Sequence, residues 1–178
     1  TITATGSEHG VFLSHGCIVN GLFRVNTNAT SYRAAVLASS ASTPVTITAE
    51  NVDLSSCDFF GIIGAGSATW TGTNIGDGGF NDGITFTAAE YRYWVGGGGN
   101  WNSAARWSTT SGGSSGASMP KANDTIIFDA NSFPLPGASL GGVPLFMGGN
   151  LVISGLTNNP SLLFNGRILY RSINVDAT

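Results

Sequence analysis

Oxygen-bearing side chains and glycines crowd together at Gly76-Asp77-Gly78-Gly79-Phe80-Asn81-Asp82-Gly83. Closely spaced Asp and Asn oxygens on a glycine-flexed loop are hard-ligand chemistry, so Asp77, Asn81 and Asp82 are the candidate calcium ligands. The acidic residue that closes an EF-hand loop is missing, and Asp-Gly and Asn-Asp-Gly are also ordinary turn sequences. A plain turn is the reading weighed above calcium, and no cofactor is required. His9, His15 and Cys17 bring zinc-type donors near one another. Their spacing matches no helical or strand-face pairing, and Gly10 and Gly16 beside the histidines point to loops. Gly112-Gly113-Ser114-Ser115-Gly116 has the form G-x-S-x-G. A nucleophile elbow needs a strand before it and a helix after it, whereas this match lies inside the low-complexity stretch Ser108–Ser118. Glycoside cleavage needs two carboxylates held close together. Of the ten acidic residues, Asp53 and Asp58 would lie on one solenoid rung but on different faces, so no such pair is read. No P-loop, GxGxxG or HExxH occurs. The expectation is a protein with no catalytic residues.

Aromatic residues are the remaining candidates. Tyr91, Tyr93, Trp94, Trp101 and Trp107 cluster around Gly96–Gly99. Exposed, they would stack on sugar rings and form a glycan-binding surface. Buried, the indoles would lie flat against glycine backbone as an aromatic core, which is the reading favoured for the three tryptophans. Trp70, between Thr69 and Thr71, reads as a tryptophan on the packed face of a strand.

The elements that must position these residues follow from composition. Gly, Ser, Thr and Asn make up 79 of 178 residues, while charged residues are only 10%. Helices draw on Ala, Leu, Glu, Lys and Arg, so this chain is poor helix material, and no stretch shows sustained helical periodicity. Apolar residues at 42% supply a core, which sets the chain apart from the disordered class. Strands of a few residues recur between small-residue turns, as in Val45–Ala49, Thr125–Asp129 and Ile168–Val175, with further short strands read at Ser67–Thr73 and Ile84–Thr87. The fold class is therefore all-β. Two packings suit short, closely spaced strands: a β-solenoid (β-helix-like) of stacked rungs, or an antiparallel β-sandwich. Val52–Phe59 favours the solenoid. Val52 and Leu54 share one parity and Cys57 and Phe59 the other, so a corner at Ser55-Ser56 turns all four inward and leaves Asp53 and Asp58 facing solvent. Texture changes near Ala88–Glu90. Residues 1–89 read as a solenoid-like region, and residues 90–178 as a Trp/Gly-rich β-region with terminal strands.

Charge and cysteine narrow the partners. Net charge is −3 and the seven basic residues are scattered singly, so no basic stripe is present to track nucleic acid. The longest nearly apolar stretch, Phe59–Gly66, is far short of the ~20 residues of a membrane helix, and no membrane insertion is expected. Cys17 and Cys57 read as two small buried residues rather than a disulfide. A chain opening on Thr1 rather than Met reads as a processed product or a piece of a longer polypeptide.

Two adjoining segments carry a resemblance. Val36–Phe86 has the form S-S-x-x-T-P-V-T-I-T … V-x-L-S-x-C … W … G-T-N-x-G-D-G-G-x-N-x-G-I-T-F. Tyr93–Phe133 has the form Y-W-V-G-G-x-G-N-W … W-S … G-G … P … D-x-x-x-F-D-A-N-S-F. Both resemble tandem β-rich modules of large secreted or cell-surface bacterial proteins (adhesin- and autotransporter-passenger-like) and of phage tail or appendage proteins. The resemblance implies an extracellular, cell-surface or virion location and a structural, non-enzymatic role. It carries over no functional residues. The expected function is a module of a surface fibre or phage appendage, partnered by self-association or by neighbouring modules of a longer chain. A glycan-binding adhesin is the alternative, and a glycan-degrading tailspike the more distant one.

Overall fold

A computed structural model of the chain describes residues 10–27, 32–141, 146–163 and 168–176. The chain divides into two compact units, Thr1–Ala88 and Ala89–Thr178. Both are built of strands and turns. Among the described residues there is no α-helix, and hence none long and apolar enough to cross a membrane.

The first unit holds β1 (Gly10–Leu13), β2 (Cys17–Asn26), β3 (Ala34–Ala38), β4 (Val45–Ser55), β5 (Cys57–Phe60), β6 (Ile62–Gly66) and β7 (Gly76–Asp77). Odd-numbered strands form one sheet, β1-β3-β5-β7, and even-numbered strands another, β2-β4-β6. Every pairing in both sheets is parallel. Parallel neighbours require a long crossover. Here the crossover from one strand to its neighbour runs through a strand of the other sheet. Register then stacks like on like: Val11, Val36 and Phe59 align across β1, β3 and β5, and Val45 aligns with Ile62 across β4 and β6. Val36, Val45, Ile47, Phe59 and Ile62 are all buried in one apolar cluster.

Two local features belong to this arrangement. Ser56 takes the left-handed conformation (φ 53°) between β4 and β5. That corner reverses side-chain parity, so Leu54, Cys57 and Phe59 are all buried, with Val52 packed against them. Gly64 is the second. A Cβ there would stand 2.6 Å from Trp70 Cδ2, so only glycine lets the indole lie against the strand. Trp70 in turn donates from Nε1 to the Ala65 carbonyl at 3.0 Å and packs on Phe23 with centroids 5.6 Å apart.

The two aspartates flanking this corner behave differently. Asp53 stays half-exposed and pairs with its register partner Arg24 at 2.8 Å. Asp58 does not face solvent as the parity argument required. Arg33 covers it, with Nε to Oδ2 and Nη2 to Oδ1 both at 2.7 Å, and their side chains are 4% and 8% exposed. Arg33 Nη2 also donates to the Cys57 and Asn74 carbonyls at 3.1 and 2.9 Å. One guanidinium thus ties together the starts of β3, β5 and β7. The strands expected at Ser67–Thr73 and Ile84–Thr87 are reduced to single-residue bridges, Thr71 to Thr85 and Ser55 to Thr73.

The second unit holds β8 (Tyr91–Trp94), β9 (Gly99–Asn100), a 3-10 turn at Ala104–Arg106, β10 (Trp107–Ser108), β11 (Thr125–Phe128), β12 (Ser139–Gly141), β13 (Phe146–Ser154), β14 (Ser161–Leu162) and β15 (Ile168–Asp176). Its sheets run β10-β8-β11-β13-β15 and β14-β12-β9. Only β10 on β8 is antiparallel. This pairing is not that of the antiparallel sandwich held as an alternative. Register again aligns apolar positions: Ile126, Leu151 and Ile173 in one row, Phe128, Ile153 and Val175 in the next. The opposite face carries a polar row. Ser172 Oγ donates to Asn150 Oδ1 at 2.9 Å, and Asn150 Nδ2 reaches Thr125 Oγ1 at 3.5 Å.

The ion pairs Arg24–Asp53 and Arg33–Asp58 make a graded test. Removing one partner of a buried pair strands the other charge and costs about 3–5 kcal/mol. An exposed pair is worth about 1 kcal/mol or less. Urea unfolding of Asp58→Asn is therefore expected to show the large loss and Asp53→Asn the small one. Equal losses would remove Arg33 from its role as the tie between strands.

Candidate functional site

The aromatic residues singled out by sequence divide by strand parity. Trp94 ends β8 on the inward side, and Trp107 opposes it across the antiparallel pair with β10. Their rings meet edge to face at 5.2 Å, and Trp101 meets Trp107 at 4.8 Å. Phe128 and Phe133 complete the cluster, stacked on each other at 6.0 Å. All five are 0% exposed. Indole N–H groups need partners when buried: Trp94 donates to the Gly97 carbonyl at 2.6 Å and Trp107 to the Trp101 carbonyl at 2.8 Å. Gly96 and Gly97 have φ of 76° and 83°, a backbone path that brings the Gly97 carbonyl back to the Trp94 ring. Trp94, Trp101 and Trp107 therefore present no face on which a sugar can stack, and as ligand-binding residues they are corrected to core. Tyr91 remains 60% exposed and Tyr93 half-buried.

Beside this core lies a charged cluster that sequence reading left as scattered single residues. Lys121, the only lysine of the chain, is 1% exposed. Its Nζ stands 2.9 Å from Asp124 Oδ1 and 3.2 Å from Glu90 Oε2. Arg92 Nη2 donates to the same Glu90 oxygen at 2.6 Å, and Arg92 Nε donates to the Ser118 carbonyl at 3.0 Å. Asp124 is fully buried and also accepts from the backbone N–H groups of Glu90 and Lys121, both at 2.8 Å. Two cations thus meet two carboxylates. The Arg92 hydrogen bond foremost, with that from Lys121 and both positive charges, holds the half-exposed Glu90 carboxyl below its ordinary range against the opposing effect of burial. Partners 31 and 34 residues apart leave no periodic trace. The single signal in the sequence was a lone lysine, in a chain nearly free of charge, just before the buried strand β11.

The calcium candidates are held by bonds to the chain itself. Asp77 Oδ1 accepts from the Gly79 N–H at 2.8 Å and from Asn81 Nδ2 at 2.7 Å. Asn81 Oδ1 accepts from the Ile62 N–H at 2.8 Å, and its Nδ2 also donates to the Phe59 carbonyl at 2.9 Å. Asp82 Oδ1 accepts from the Gly83 N–H at 2.8 Å. Asn81 turns an N–H toward Asp77 and spends its oxygen on Ile62, so the three residues shape a turn that joins β7 to the β5–β6 corner. Among the described residues no group of three or more His, Cys, Asp or Glu side chains is placed to hold a metal ion. His15 is exposed, with Nδ1 2.9 Å from Ser14 Oγ, and His9 lies outside the described residues. Cys17 and Cys57 are free thiols. Burial pushes Cys57 far above the usual thiol range, and the neighbouring Asp58 charge adds to that rise. Ser114, in the G-x-S-x-G match, is exposed and lies in a stretch with neither strand nor helix.

No family model matches this chain, and neither a curated protein nor a solved structure is significantly similar to it.

Two outcomes follow. Trp107→Ala empties a site at the centre of the aromatic cluster, and deleting a buried aromatic costs about 3–5 kcal/mol. Denaturant unfolding is expected to show that loss, and an unchanged midpoint would contradict the core assignment. Glu90 gives a pH dependence. A carboxyl whose pKa is lowered by folding contributes stability fully above its unfolded-state pKa and loses it as pH falls through the lower folded value. Acid unfolding followed by tryptophan fluorescence is expected to start below the ordinary glutamate range, with that part of the slope absent in Glu90→Gln.

Proposed function

We propose that this chain is a non-enzymatic structural module of an extracellular surface fibre or a phage tail or appendage, built as a β-solenoid whose coils stack in register. The observation that carries the reading is the pairing: in each unit, β10 on β8 apart, strands stack in parallel with apolar positions aligned in rows. Stacked coils make a stiff element from few charges and many small residues, which suits a fibre. The acidic groups are occupied with architecture. Asp53, Asp58, Asp77, Glu90 and Asp124 each accept hydrogen bonds from the chain.

Self-association is the second part of the proposal. β15 pairs only with β13 among the described residues, and its Ile173 and Val175 are 61% and 60% exposed although they continue the rows of buried Leu151 and half-buried Ile153. β1 is likewise an edge strand, and Val11, Leu13, Cys17 and Val19 line an apolar cleft in the first unit. Unpaired strand edges template further pairing. A contact between different edges builds a ring or a filament, so a second copy or a neighbouring module of a longer chain is the partner proposed here.

Sedimentation and negative-stain electron microscopy over a concentration series test this. Concentration-dependent rods or rings are expected, and they are expected to disappear in the double variant Ile173→Lys, Val175→Lys. A monomer at every concentration, or assembly untouched by the double variant, would overturn assembly through β15.

A further inference from the structure

We propose that the hollow lined by Ala89, Glu90, Tyr91, Arg92 and Thr109 is a subsite for one neutral saccharide unit. This goes beyond the structural role and does not depend on it.

The hollow is an open surface depression of about 330 Å³. It lies where β10 stops at Ser108 and the chain leaves the edge of β8. Two of its residues offer binding groups. Tyr91 is 60% exposed, the most exposed of the aromatic residues named as ligand candidates, and an aromatic side chain with a polar tip suits a surface that is part apolar and part wet. Glu90 is a half-exposed carboxylate held in place from behind. Its Oε2 is fixed by Arg92 and Lys121, while among the described residues no donor reaches Oε1. A pre-positioned acceptor that needs no reordering on binding lowers the entropic cost of association.

Charge selects the class of ligand. Glu90 and Asp124 are matched by Arg92 and Lys121, so the cluster carries no net charge toward the hollow. Arg92 spends its donors on Glu90, Ser118 and the Tyr91 carbonyl. An anion would meet a guanidinium with four of its five N–H groups already bonded, and a cation would meet a carboxylate already paired with two positive charges. A ring with hydroxyl donors for Glu90, an acceptor for the exposed Thr109 hydroxyl and an apolar face for Tyr91 matches what is offered. The three buried tryptophans have no part in this surface, which relocates sugar recognition from the indoles to Tyr91.

Saturation-transfer NMR on the full chain tests it, with free glucose, galactose, mannose and N-acetylglucosamine as probes and the anionic N-acetylneuraminic acid as control. Transfer to the ring protons of at least one neutral sugar is expected, falling to background in Tyr91→Ala and weakened in Thr109→Val. Both substitutions are at exposed positions, and near-ultraviolet circular dichroism checks that the tryptophan core is intact. Glu90→Gln, which keeps an acceptor oxygen but loses the charge, is expected to retain part of the signal. No transfer to any neutral sugar, transfer unchanged in Tyr91→Ala, or a stronger response from the anionic sugar would overturn the proposal. Each of these results leaves the sedimentation test of the structural role unaffected.

Discussion

The structure depends on parallel register between strands that are not neighbours in sequence. Once β4 sits on β2 and β6 on β4, every inward position of one strand lies over an inward position of the last. A slip of one residue would turn the whole apolar row outward. The interior is therefore a set of rows: Val11 to Phe59, Val45 to Ile62, Ile126 to Leu151. Polar side chains reinforce the same register from outside, as in the Thr125, Asn150 and Ser172 row, and Arg24 pairs with the residue directly beside it, Asp53.

Parallel sheets ordinarily need helices to cover their faces. This chain has none among its described residues, and each unit instead carries a second set of strands. The small residues that dominate the composition are what this arrangement demands. Ser56 makes a corner that reverses parity, and Gly64 accepts the face of Trp70. The charges that exist are concentrated where strands would otherwise end without partners. Arg33 joins the beginnings of three strands of one sheet, and the Glu90, Arg92, Lys121 and Asp124 cluster fixes the entrance to β8 and β11.

Much of this was legible in local pattern. Composition pointed to strands without helices, and the parity switch across Ser55-Ser56 located a corner and the inward set Val52, Leu54, Cys57 and Phe59. The same reasoning misplaced Asp58, because parity says which way a residue points and not what comes to cover it. Arg33, 25 residues earlier, is invisible to any local window. The aromatic cluster was half legible: tryptophans beside glycines indicated packing, yet Phe128 and Phe133 joined them only through the pairing of β8 with β11. The candidate site around Glu90 was legible only in pieces, Tyr91 as an aromatic candidate and Lys121 as a lone lysine, since Lys121 and Asp124 reach Glu90 from a segment some thirty residues away and carry no motif. The loop at Asp77 could be read as ligands or as a turn from its oxygens alone. In the structure these oxygens accept hydrogen bonds from the chain itself, Asp77 from Gly79 and Asn81, and Asn81 from Ile62.

In-register parallel stacking is the claim on which both the fold and the structural role rest, and spin labels read it directly. In a chain with Cys17 and Cys57 replaced by alanine, nitroxides at Thr46 and Ile63, which are register partners across β4 and β6, are expected to give strong dipolar broadening that vanishes on unfolding in denaturant. A folded protein whose doubly labelled spectrum equals the sum of the two single-label spectra would contradict the stacking.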